Sequence, residues 1–139
     1  TEGIIMLKQI CIFTENKKGA MLNITELLLE DQINILGSVT NDSAEYGIVR
    51  MVVSDPQLAY EKLTAKGYQC KVTDIIGVQM NDEVGSLNKL LRSVQESNIN
   101  VNYLYLSFDR ELGTPIILLH VNDSYEVAEC LRSKGYDIL

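Results

Sequence analysis

Asn16-Lys17-Lys18-Gly19 and Asp82-Glu83-Val84-Gly85 occupy matching places in two copies of one pattern. A shift of 66 residues (16 to 82) also carries Ile33-Asn34-Ile35 onto Ile99-Asn100-Val101, and Met21, Ile24 and Leu28 onto Leu87, Leu90 and Val94. A shift of 68 (55 to 123) aligns the later block. Asp55 meets Asp123, Glu61 meets Glu129, Leu63 meets Leu131, and Lys66-Gly67-Tyr68 meets Lys134-Gly135-Tyr136. Self-similarity at a fixed period marks a duplicated unit. The two extra residues fall between Asp109 and Thr114, a stretch that holds Gly113 and leads into Pro115. A hairpin turn tolerates insertion at such a place.

Each copy reads as the same series of elements. Leu7 to Phe13 is apolar and β-rich, a strand. After Gly19, the residues Met21, Ile24, Leu27 and Leu28 make one helical stripe. Asn34 to Thr40 is a second strand, Asn41-Asp42-Ser43 a turn cluster, and Tyr46 to Val53 a third strand. Asp55-Pro56 opens a helix, because Asp caps free N–H groups and Pro suits the first helical position. Gly67 stops that helix, and Gln69 to Thr73 is a fourth strand. The second copy gives a strand at Ile75 to Met80, a helix at Gly85 to Ser97, a strand at Ile99 to Phe108 and another at Thr114 to Val121. A last helix runs from Ser124 to Lys134, with Asp123 and Glu126 at capping-box spacing, and Tyr136 to Leu139 is the final strand. The order βαββαβ thus occurs twice. It predicts an α+β chain of two ferredoxin-like units, residues 1–74 and 75–139, each an antiparallel sheet with two helices on one face. Val101, Tyr103 and Tyr105 lie on one face of a strand, and Leu104, Leu106 and Phe108 on the other. An outer face that is partly covered, by a second chain, would explain this; scattered surface tyrosines are the alternative.

Composition limits the function. The chain has 139 residues, a formal net charge of -7 and 46% apolar residues. An acidic surface without a basic patch repels phosphate backbones, so no nucleic-acid partner is expected. Cys11, Cys70 and Cys130 are widely spaced and form no C-x-x-C pair, which argues against a disulfide framework and against a metal site. No signal sequence and no run of membrane-span length is present, so the expected location is cytoplasmic with no membrane partner. The single histidine, His120, sits inside an apolar strand and is expected to be structural. No H-E-x-x-H, G-x-S-x-G or G-x-x-x-x-G-K-[ST] motif occurs. No catalytic residue, cofactor or enzyme activity is predicted. A ferredoxin-like hydrolase of the acylphosphatase type would need an Arg in the loop from Glu15 to Gly19, and there is none.

The glycine turns suggest binding instead. A residue without Cβ lets the backbone approach a ligand, and the N–H groups of the helix that follows favour a carboxylate. Asn16 and Asn34 offer amides that both donate and accept. Asp82 replaces Asn in the second copy, so the two sites are expected to be unequal, with the first better suited to ligand. Structural roles compete: Asn16 and Asp82 as helix caps, Asn34 and Asn100 as turn formers.

An apolar strand, then N/D-x-x-G, an apolar helix stripe and I-N-I/V resembles the ACT domain family. The resemblance spans about residues 7–74 and 75–139. Many members have Pro before the glycine; Lys18 and Val84 stand there here. The resemblance implies a regulatory module that binds an amino acid at an interface between ACT-like domains. The ligand-binding residues would be Asn16, Lys18, Gly19, Ala20, Met21, Leu22, Asn34 and Ile35 in the first copy, and Asp82, Gly85, Ser86, Leu87 and Asn100 in the second. A homodimer and an enzyme of amino-acid metabolism are the implied partners. A ligand-free protein–protein interaction module is the alternative.

Overall fold

A computed structural model describes residues 6–15, 17–42 and 46–139. Among these, seven strands and four helices follow one another: β1 (Leu7–Glu15), α1 (Ala20–Glu30), β2 (Ile35–Asp42), β3 (Tyr46–Val53), α2 (Pro56–Ala65), β4 (Gln69–Gln79), α3 (Ser86–Glu96), β5 (Tyr103–Phe108), β6 (Pro115–His120), α4 (Ser124–Ser133) and β7 (Asp137–Ile138). The chain divides into two compact units, Lys8–Thr73 and Asp74–Leu139, and the second also takes the residues up to Leu7. The first unit has strand order β2-β3-β1-β4 and the second β7-β4-β6-β5. Both are the ferredoxin-like order, so the α+β, twice-repeated βαββαβ architecture is the observed one.

The division falls inside β4. Two strands were expected, at Gln69 to Thr73 and Ile75 to Met80; a single strand of 11 residues replaces them. Nothing between them breaks a strand: Asp74 is half-buried and no proline intervenes. β2 likewise runs on through Asn41 and Asp42, where a turn was expected; Ser43, the third residue of that cluster, lies outside the described residues. β5 starts only at Tyr103, four residues later than expected; ahead of it the Asn100 side-chain amide donates to Asn102 Oδ1 at 3.4 Å.

Each unit buries one sheet face beneath two helices. In the first, Ile10 and Ile12 of β1 and Val49, Met51 and Val53 of β3 pack with Ile24 and Leu28 of α1 and Ala59 and Leu63 of α2. In the second, Ile76, Val78, Ile117 and Leu119 pack with Leu90 and Val94 of α3 and Val127, Ala128 and Leu131 of α4. The helix positions in these clusters are the stripes that the two copies share in sequence. On the opposite strand faces, Cys11 and Val52 in the first unit, and Ile75, Tyr105 and Leu118 in the second, are buried. Tyr105 is therefore no surface tyrosine.

The helix ends repeat as well. Gly19 and Gly85 are the N-caps of α1 and α3, at φ +83° and +89°. Gln32 and Asn98, a matching pair just past α1 and α3, both adopt φ +57°. Asp55 caps α2 as expected, accepting from the Leu58 N–H at 3.1 Å. Asp123 stands at the N-cap of α4 but its side chain makes no capping hydrogen bond, so its spacing to Glu126 is not a working capping box.

α1 differs from α3 on the side away from the core. Leu22 and Leu29 are 61% and 64% exposed, whereas the matching α3 positions are Asn88 and Gln95. Replacing Leu63, fully buried, with Ala should cost about 2–5 kcal/mol by chemical denaturation, while Leu22→Ala should stay within about 0.5 kcal/mol. Burial, with a smaller contribution from Cys11 nearby, pushes the Cys70 thiol up from 9.0 to about 11. Because the thiolate is the nucleophile, Cys70 should be alkylated by iodoacetamide about 100-fold more slowly at about pH 8 than an ordinary thiol; mass spectrometry of the labelled peptide reads this directly.

Candidate functional site

The turn from strand to helix is built the same way in both units. In the first, the Lys17 N–H donates to Glu15 O at 3.0 Å, the Ala20 N–H to Lys17 O at 3.2 Å, and the Asn23 N–H to Gly19 O at 3.0 Å. In the second, the Glu83 N–H donates to Asn81 O at 2.9 Å, the Ser86 N–H to Glu83 O at 3.2 Å, and the Lys89 N–H to Gly85 O at 2.9 Å. The bonds match one for one under the shift of 66. The positive φ at Gly19 and Gly85 is the left-handed conformation that a Cβ disfavours, which is why glycine ends both motifs. Across from each turn lies the end of the unit's second helix, where the Tyr68 N–H returns to Leu63 O and the Tyr136 N–H to Leu131 O, both at 3.1 Å.

Between these two turns, each unit has a cleft in the same place. The first, about 600 Å³, is lined by Glu15, Lys17, Ala20, Asn23, Tyr68 and Gln69, with others. The second, about 650 Å³, is lined by Glu83, Ser86, Lys89, Tyr136 and Asp137, which correspond to Lys17, Ala20, Asn23, Tyr68 and Gln69, and by Lys134. Gln79, Met80, Asn81 and Ser93 also line it, and the β5–β6 hairpin adds Leu112 and Thr114 as a further wall.

That hairpin is held firmly. Asp109 Oδ1 accepts from the Glu111 N–H at 2.9 Å and the Leu112 N–H at 2.8 Å. Gln79 Nε2 donates to Asp109 Oδ2 at 3.0 Å and to Thr114 Oγ1 at 3.1 Å, tying the turn to β4. The Tyr136 hydroxyl lies 2.8 Å from Ser93 Oγ. The Leu112 N–H above all, helped by the Glu111 N–H and the Gln79 amide, holds the Asp109 carboxyl below its ordinary 3.8 despite an opposing effect of burial.

The two clefts differ in charge. Lys17 pairs with Glu15 at 3.3 Å in the first. In the second, Lys89, Lys134, Glu83 and Asp137 line one cleft, and among the described residues none of the four is in an ion pair.

The residues singled out in the sequence are dispersed. Ala20 lines the first cleft and Ser86 the second. Lys18 and Gly19, like Asp82 and Gly85, are exposed in the turns beside them. Gly85, not Asp82, is the N-cap of α3, so Asp82 has no capping role. Met21 and Leu22 are exposed, with Met21 Sδ accepting from Thr40 Oγ1 at 3.9 Å. Asn34 is exposed, and its backbone N–H donates to Ser54 Oγ at 2.9 Å. Ile35 and Leu87 pack against the cores of their units. Asn100 lines a third cleft, about 350 Å³, with Asn98, Asn122, Asp123 and Glu126. Asn16 lies outside the described residues. His120 stacks on Tyr103, with ring centroids 4.6 Å apart, and its Nδ1 is 3.1 Å from Asn102 Nδ2, a packed strand residue.

Sequence reading missed Lys89, Ser93, Leu112, Thr114 and Tyr136. The repeated Lys-Gly-Tyr, a helix stop in the sequence, also marks one wall of each cleft. Lowering the pH should titrate the hairpin: a carboxylate with depressed pKa supports the folded turn above the unfolded value and loses that support as pH falls through the folded one. The Glu111 and Leu112 amide resonances should shift together with a midpoint below 3.8, and Asp109→Asn should abolish the step.

The ACT domain pair family matches residues 5–134. No curated protein matches the chain by sequence. Among solved structures, a protein from Bacteroides thetaiotaomicron superposes with TM-score 0.88 at 29% identity, covering 96% of this chain and 92% of its own. The ligand-free regulatory subunit of aspartate kinase from Thermus thermophilus gives TM-score 0.65 at 14% identity, covering 94% of each chain. Aspartokinase III from E. coli, crystallised with lysine and aspartate, gives 0.50 at 13% identity, covering 93% of this chain and 31% of that one. With the duplicated turn, the strand order and the family match over nearly its whole length, the chain belongs to the ACT domain family, as an ACT domain pair.

Proposed function

We propose that this ACT domain pair is a regulatory, non-catalytic protein that binds a free amino acid, and that it works as a homodimer or beside an enzyme of amino-acid metabolism in the cytoplasm. One observation carries the reading: a cleft of similar size recurs at the same place in both units, beside a glycine turn and the start of a helix. Its walls carry both ammonium and carboxylate side chains, which suits a ligand that is itself a zwitterion. The fold shared with an aspartokinase crystallised with lysine and aspartate supports an amino acid as the ligand.

Among the described residues, no helix is long and apolar enough to cross a membrane. No group of His, Cys, Asp or Glu able to hold a metal occurs among the described residues. A ligand-free interaction module is the second reading. The exposed Leu22 and Leu29 on α1 favour it, since the matching α3 positions are polar.

A thermal-shift panel of the free amino acids separates the two. A ligand at 100 times its Kd should stabilise the protein by about 2.7 kcal/mol. A panel in which no amino acid raises the melting temperature at millimolar concentration would remove the sensing role and leave the interaction module standing.

A further inference from the structure

We infer that the third cleft, at the end of the second unit away from its glycine turn, binds a linear primary alkylamine in the place where the first unit holds the side chain of its own Lys62. Occupancy of this cleft is independent of the amino-acid reading, which concerns the opposite end of the unit.

In the first unit the place is filled. Lys62 reaches from α2 to the C-terminal end of α1, where its Nζ lies 2.7 Å from Glu30 Oε2 and 3.5 Å from Asp31 Oδ2. Asp31 is the C-cap of α1. The Lys62 side chain is only 22% exposed, so its methylene stem is packed along with its charge. A cation suits this end of a helix, because the last carbonyls carry partial negative charge. Asp55 is engaged too, as the cap of the Leu58 N–H.

In the second unit the same place is vacated. Cys130 corresponds to Lys62 and Ser97 to Asp31. The link between the two helices survives in a shorter form, from Cys130 Sγ to Ser97 Oγ at 3.7 Å, and Ser97 is again the C-cap. A single sulfur stands where lysine has the rest of its chain. A cleft of about 350 Å³ opens there, with Ile99, Val121, Val127 and Cys130 among its walls. These walls offer an alkyl chain apolar surface to cover.

The charge changes in the same sense. Glu126 corresponds to Leu58, so the cleft gains a carboxylate where it has lost an ammonium group. Asp123 corresponds to Asp55 and also lines the cleft, but its side chain makes no capping hydrogen bond. No lysine or arginine belongs to the lining. Apolar walls, the end of α3 and the carboxylates together match an alkyl chain that ends in ammonium. An anion would meet like charge, and a neutral alcohol would leave the carboxylates unanswered.

n-Butylamine is the lysine side chain without its backbone, and its titration into the full chain at about pH 7, followed by amide NMR, tests this. Saturable shifts are expected at residues 97–100 and 121–127, with a Kd on the order of millimolar for so small a probe. The matching stretches of the first unit, 31–34 and 53–59, should not move. 1-Butanol, of the same length but uncharged, should bind about 10-fold more weakly. Cys130→Lys with Ser97→Asp restores the filling of the first unit and should weaken butylamine binding by about 10-fold or more. Glu126→Leu, which installs the residue of the first unit, should weaken butylamine about 3-fold and leave butanol unchanged.

Equal binding of butylamine and butanol would overturn the amine as ligand and leave only an apolar hollow. Butylamine binding undiminished in the refilled variant, or equal shifts in the two units, would overturn the cleft. If that double variant fails to fold, Glu126→Leu and the butanol comparison on the parent chain still decide. Absence of any saturable shift up to about 100 mM butylamine would overturn the whole inference. None of these outcomes bears on amino-acid sensing, which the thermal-shift panel decides separately.

Discussion

Each sheet of this protein has an apolar face that must leave water, and the two helices laid over it are what remove it. The rest of the structure follows from this. For a helix to lie on the sheet, the chain must reverse sharply at the end of the unit's first strand, and the reversal needs a left-handed residue; Gly19 and Gly85 supply it. The second helix must reverse in turn to deliver the last strand, which sets the Lys-Gly-Tyr end opposite the glycine turn. Both reversals occur at the same end of the sheet. The cleft between them is a by-product of closing the core, present in each copy before any ligand-specific residue is chosen.

Specific chemistry then enters through the positions that the core leaves unconstrained. Residues of the hydrophobic stripe are nearly the same in kind in the two copies: Ile24 and Leu28 match Leu90 and Val94. Residues around the cleft are not: Ala20 and Asn23 correspond to Ser86 and Lys89. Packing holds the first set because a lost methylene in the core is costly. Nothing in the packing holds the second set, so those positions are free to differ between the copies. By the same comparison, α1 and α3 have diverged on their solvent side, Leu22 and Leu29 against Asn88 and Gln95, and the two repeats present different surfaces.

The fold was legible because duplication doubled every weak signal. Asp55-Pro56, the glycines and the helical stripes each appear where the structure places them. The stretch 69–80 was split into two strands because the fold of one unit demands a last strand and the next unit a first. No turn residue separated them, and the backbone makes one strand of both. The site was less legible. A side chain's neighbours in a cleft come from segments far apart in sequence, as Gln79 meets Asp109 and Ser93 meets Tyr136. Asn34 and Asn100 look alike in the repeat, yet Asn34 serves a backbone bond with Ser54 whereas Asn100 joins a network with Asn102. Identical letters at matching positions gave no warning of this.

The long β4 has a consequence for how such a chain can be divided. Its first half completes one unit and its second half begins the other, while Met6, at the head of the chain, lies in the core of the later unit. Gly77 leaves room for Leu7: a methyl at that glycine would sit 2.7 Å from Leu7 Cδ1. A scission anywhere in β4 therefore strands Met6 and Leu7 on the wrong fragment. Cut out at the repeat boundary, the later unit would lose Met6 from its own core.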